Sequence, residues 1–152
     1  MASPEQAALA SGLKELVANL FAMYIRAHGA HWNVESAFFG PLHDFFAKIY
    51  DDVHDSIDPV AEGLRFHKFY APATLGFALS TTNIADMQVK GGNPTEHLQA
   101  VLDANTGVLT SLHAAFNAAE ALGDVGLANF FQDRIMQHDK WAWQLRSHLK
   151  SV

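Results

Sequence analysis

Residues 31–62, HWNVESAFFGPLHDFFAKIYDDVHDSIDPVAE, decide the fold. From Pro41 onward, Phe46, Ile49, Tyr50, Val53, Ile57, Val60 and Leu64 recur at the spacing of one helical face, predicting a helix that opens at Pro41 and runs to about Lys68. The opposite face carries His43, Asp44, Asp51, His54, Asp55, Asp58 and Glu62, a row of carboxylates with two imidazoles set in it. Pro59 removes the backbone donor to the Asp55 carbonyl, so a kink is expected beside Asp58.

Upstream, Ser3-Pro4-Glu5-Gln6 reads as an N-cap, a proline at the first helical position and a glutamine closing a capping box. The stripe Leu9, Leu13, Leu16, Val17, Leu20 and Tyr24 carries that helix to about His31. Downstream, residues 69–92 lack the periodicity and have the composition of a long crossover with a short helix after Thr74. Asn93-Pro94-Thr95-Glu96 opens a third long helix to Gly123, and Asp124 is the expected N-cap of a fourth that continues to the end. There is no strand-like alternation and no repeat. The expected fold is all-α, one domain over residues 1–152: a four-helix bundle whose single long connection joins its second and third helices, the ferritin-like wiring.

The 152 residues are 49% hydrophobic, enough for one core that buries roughly 70% of the extended chain's surface. The first dozen residues have neither the basic nor the apolar region of a secretory signal and no run of 18 apolar residues occurs, so a cytoplasmic protein without a membrane span is expected. With no cysteine, any metal falls to histidine and carboxylate. A net charge of −6 and termini without lysine-rich tails argue against DNA as a partner. No Gly-rich phosphate loop and no Gly-x-Ser-x-Gly elbow is present.

Charged residues on a helix are usually only solvated, and a lone histidine is usually a hydrogen-bonded core or surface residue. Two spacings weigh against that reading here. Asp58 and Glu62 lie one turn apart, where like charges repel mildly unless they share a cation. His31 and His43 flank the turn between the first two helices, which brings them close. His43 and Asp58, by contrast, are fifteen residues apart on one helix, a rise of about 22 Å, so one chain cannot bring both to one ion. A composite site therefore needs two chains: if the second helix packs antiparallel on its copy across a two-fold axis, the histidines of one subunit meet the carboxylates of the other. A mixed imidazole and carboxylate site suits iron(II) or zinc. No Glu has a His three residues later, so the paired Glu-x-x-His layout within one bundle is excluded.

His31-Trp32-Asn33-Val34, then His43, then Asp58 and Glu62 in Asp-Pro-Val-Ala-Glu, resemble without a gap the Dps family, the DNA-protection-during-starvation mini-ferritins. The likeness weakens through the middle and returns in the last helix, where Asp124 and Asp133 bracket NFFQ and His138 to Arg146 are similar to the family's closing segment. The resemblance implies a homo-oligomer, a hollow dodecamer with ferroxidase centres at its two-fold interfaces. There His31 and His43 of one subunit and Asp58 and Glu62 of its neighbour bind iron(II), which hydrogen peroxide or, more slowly, dioxygen oxidises to a ferric mineral stored inside. It makes Trp32 a candidate electron donor, against a plain interface aromatic, and Asp124 and Asp133 candidates for an acidic entry pore. For Asp124 an N-cap is the competing role, and Asn129 stands where the family often has a further Asp. One departure matters more. Ala47 replaces a family Asp that helps to hold the second iron, leaving that ion to His43 with water or to His28, His54 or Asp44. Two other functions stay open: DNA-binding nucleoid protection, and a structural or zinc-binding shell whose ferroxidase chemistry has lapsed with Ala47.

Overall fold

A computed structural model describes residues 1–150. Its helices are α1 (Pro4–Asn33), α2 (Phe39–Phe66), α3 (Leu75–Thr81), α4 (Pro94–Leu122) and α5 (Val125–Leu149), with no strand among the described residues. The four long helices form the bundle, and α3 is the short helix expected after Thr74.

The ends of these helices are set by local chemistry. At the start of α1 the Gln6 amide donates to Ser3 Oγ at 3.1 Å while the Ser3 amide donates to Gln6 Oε1 at 2.9 Å, so two otherwise orphaned donors are satisfied reciprocally. Thr74 caps α3 through the Phe77 amide, and Asn93 caps α4 through that of Glu96. Gly123 ends α4 at φ +77°, a left-handed conformation that costs glycine nothing, and Asp124 at once caps α5 through the Leu127 amide. Helix α2 starts two residues before Pro41, which therefore sits in the first turn where its missing N–H is no loss. It continues through Pro59 to Phe66 as one helix.

Helix α1 packs on α2 and α4, and α4 on α5. Leu13, Leu16, Leu20, Phe46, Ile49, Leu64, Leu98, Leu112 and Phe131 are all buried in the shared core. By length and composition α1 is also apolar enough to cross a bilayer, but half of its most apolar window is buried inside the bundle, as a core helix requires.

The crossover runs the length of the bundle. Its far end is fixed where the Glu35 amide, in the α1–α2 turn, donates to the Gly92 carbonyl at 2.8 Å, so α4 begins beside the end of α1. The Asn19 side chain, fully buried, accepts from Thr82 Oγ1 at 2.7 Å and from the Asn83 amide at 2.9 Å. Arg26 joins the crossover to α4 by donating to the carbonyls of Ala85 and Ala100. These bonds tie a largely solvent-exposed connection to α1.

Helix α5 closes on α2 through side chains. Arg134 forms a bidentate pair with Asp52, both bonds 2.8 Å, and the Trp141 indole N–H donates to the same carboxylate at 2.8 Å. Arg134 also approaches His138 Nε2 at 3.2 Å, and His138 Nδ1–H donates to Asn105 Oδ1 at 2.8 Å. His138 is fully buried. Burial, reinforced by the Arg134 charge and only partly opposed by Asp52, pushes its pKa down to about 3, so the ring is neutral. Burial alone would raise the Asp52 pKa, but the hydrogen bonds from Arg134 and Trp141 and the arginine's charge outweigh it and hold the carboxyl below its usual value.

Candidate metal centre

The turn between α1 and α2 folds the end of one helix over the start of the next and brings His31 and His43 face to face. Their rings stack with centroids 3.6 Å apart and planes 17° from parallel. Each ring is tied to the other's backbone: His31 Nδ1–H donates to the His43 carbonyl at 2.7 Å, and His43 Nδ1–H donates to the His31 carbonyl at 2.8 Å. A carbonyl can only accept, so both rings carry their proton on Nδ1, and in the neutral rings Nε2 holds a free lone pair. A backbone acceptor on the distal nitrogen is the usual way of presetting a metal-binding imidazole.

His28, one turn before His31, is wrapped in aromatics. Its ring stacks on Tyr50 at 3.9 Å and meets the Trp32 ring at 4.0 Å with the planes tilted by 32°, and its Nδ1 lies 3.0 Å from the Tyr24 hydroxyl. Burial and then the neighbouring His31 lower its pKa against a smaller opposing pull from Asp51. The ring is therefore biased to its neutral form. Trp32 itself is 64% exposed.

The remaining candidates lie apart. His54 is exposed, 5.0 Å from the Tyr24 ring by centroids and 3.9 Å from the Asp55 carboxylate. Asp44, Asp58 and Glu62 are exposed on α2, and the Ala47 methyl is half-buried without a donor to offer. Among the described residues no three histidine or carboxylate side chains converge to hold an ion. The chain holds two separated partial sets, an imidazole pair at the start of α2 and a carboxylate pair near its end.

Asp124 is committed otherwise. One oxygen caps α5 and the other takes a hydrogen bond from His67 Nε2 at 2.8 Å. Burial would raise its pKa, but these hydrogen bonds and the His67 interaction lower it overall. Its oxygens are thus engaged in holding the α4–α5 corner against the end of α2, whereas Asp133 is exposed.

Sequence reasoning missed the Asp52, Arg134, Trp141, His138 and Asn105 network. The one available signal was His138 falling on the apolar stripe of α5.

The comparisons agree with this architecture. The chain matches the ferritin-like domain family over residues 10–152. General stress protein 20U of Bacillus subtilis is 27% identical over 143 residues, spanning 93% of this chain and 97% of the relative. A Dps protein from Bacillus brevis superposes with a TM-score of 0.91 at 26% identity, covering 98% of this chain and 99% of that one. Dps from Vibrio cholerae, described as one of the ferritin-like diiron-carboxylate proteins, gives 0.89 at 26% identity over 95% and 91%. With its bundle, its crossover helix and these likenesses over nearly its whole length, the chain belongs to the ferritin-like family, as a mini-ferritin of the Dps type.

Proposed function

We propose that the protein oxidises iron(II) at sites completed between subunits and stores the ferric product inside a homo-oligomeric shell, protecting its surroundings from oxidative damage. The observation that carries this reading is the reciprocal His31–His43 brace, which engages both Nδ1 atoms and leaves the Nε2 lone pairs of two stacked rings at one end of α2 while Asp58 and Glu62 stand at the other. An antiparallel two-fold pairing of α2 with its copy brings the two half-sites together twice per dimer, and a dodecamer is the assembly inferred.

Iron is the substrate. Two iron(II) ions give one electron each to one hydrogen peroxide, whose O–O bond breaks to two hydroxides, so no free radical leaves the site; dioxygen is the slower oxidant. The carboxylates offset the charge that grows as iron(II) becomes iron(III), and the imidazoles hold the ion while positions remain open to the oxidant. Zinc fits the same donors and acts as a competitor. Trp32, against the His28 ring and next to His31, is placed to donate an electron to stray oxidising equivalents.

The test is the initial rate of ferric absorbance growth on adding iron(II) and peroxide to native protein, to Asp58→Ala and to a protein-free blank. A fast native rate that falls to the blank in Asp58→Ala supports the reading. A native rate equal to the blank sinks it and leaves a structural or zinc-binding shell.

A further inference from the structure

We infer that the groove between the start of α2 and the end of α5 is a binding site for a small planar aromatic carboxylate. The groove encloses about 370 Å³, near the lower end of the range for ligand pockets and room for a molecule of about two fused rings. It is separate from the histidine pair. Phe45 and Lys48, which line it, follow His43 by two and five residues, so they lie about 160° and 140° around α2 from that side chain. The groove therefore takes nothing from the iron chemistry, and ligand binding there stands or falls independently of it.

Its floor is aromatic. Phe45 and Trp141 are both buried and meet edge-on with centroids 6.1 Å apart, and His148 stacks on Phe45 at 4.2 Å. The Trp141 N–H is committed to Asp52, whose charge Arg134 offsets, so this ring has no polar group left to present to the groove. Trp143 stands in the wall 58% exposed. An exposed indole beside buried rings carries the apolar wall out into solvent, where the flat face of a ligand ring can stack on it.

The charge of the groove runs against that of the chain. In a protein of net charge −6, the charged residues lining this cavity are Lys48 and Lys140, both exposed, and among the described residues neither ammonium has an ion-pair or hydrogen-bond partner. No carboxylate lines it. Two point charges at the edge of an aromatic slot complement an anion whose body is a ring, one lysine for each carboxylate oxygen. A phosphate is less well served. The groove lies against the last turns of α5, where the negative end of the helix dipole opposes a doubly charged group, and it has neither an arginine fork nor a helix N-terminus to offer.

Calorimetric titration of the assembled, iron-free protein with 2-naphthoate tests the site. The expected result is saturable binding of one naphthoate per subunit. 2-Naphthamide, which keeps the rings without the charge, and octanoate, which keeps the charge without the rings, are each expected to bind about tenfold more weakly or worse. These analogues need no substitution, so they decide the matter even where a variant misfolds. The paired change Lys48→Gln and Lys140→Gln is expected to weaken naphthoate by about tenfold or more, to the level of the amide, and Trp143→Ala to weaken it by about as much. Lys90→Gln, which removes an exposed charge from the crossover, leaves binding unchanged. Absence of saturable binding, either analogue binding as tightly as naphthoate, or indifference to the lysine pair or to Trp143 overturns the site. Tighter binding of adenosine monophosphate than of naphthoate overturns the carboxylate assignment in favour of a phosphate.

Discussion

Ala47 leaves a position without a donor on the face of α2 that carries the proposed ligands. A methyl group cannot bind a cation, and it lies one turn after His43 on the same face of α2. Restoring the carboxylate with Ala47→Asp is expected to raise the number of iron(II) ions held per subunit, measured by anaerobic titration calorimetry, and to speed peroxide-driven oxidation severalfold. An unchanged stoichiometry would show that another side chain already fills the role. The His31 and His43 positions were legible from spacing alone, because a short turn between antiparallel helices leaves them little room to be apart. Their mutual brace was not, since its acceptors are backbone carbonyls and carry no side-chain signature. His28 was equally open in the sequence, and it takes the whole set of Tyr24, Tyr50 and Trp32 rings to place it.

Among the elements, α5 is held to α2 by long-range polar contacts that span 82 to 89 positions of sequence. Such pairs depend on the relative register of two helices, which periodicity within each helix does not encode. The helices themselves were readable because caps, prolines and stripes are local, and even the short α3 announced itself through Thr74. Buried neutral His138 makes this seam sensitive to acid. Its folded pKa, about 3, lies below the ordinary 6.5, so in acid the unfolded chain takes up a proton that the folded chain refuses. Its contribution to stability is whole above pH 6.5 and is lost as pH falls, levelling off near pH 3. The expected loss is about 3 kcal/mol per chain by pH 4.5, read as a falling denaturation midpoint; a midpoint flat from pH 7 to 4.5 contradicts it. Arg134→Ala strands Asp52 in a mostly buried setting and is expected to cost about 2–3 kcal/mol, discounted for the carboxylate's partial exposure.

For the whole molecule, charge bears on partners. A chain of net charge −6 repels a phosphate backbone on average, so plasmid is expected to migrate unshifted with the protein at moderate salt. Retention there would point to a local basic surface and favour nucleoid protection. The proposed assembly enters as a requirement of the proposed site: the distance along α2 between its two donor pairs exceeds what any single ion can bridge. Under the proposed two-fold pairing, that separation also makes the defects of two different subunits complementary. In a mixed pair, a chain lacking His31 and His43 still lends its carboxylates, and a chain lacking Asp58 and Glu62 still lends its imidazoles. One site of the two is then whole. Two parent preparations that are each inert should regain, on dissociation and random reassembly, about a quarter of the native oxidation rate; the cross between two silent alleles would speak where neither does alone.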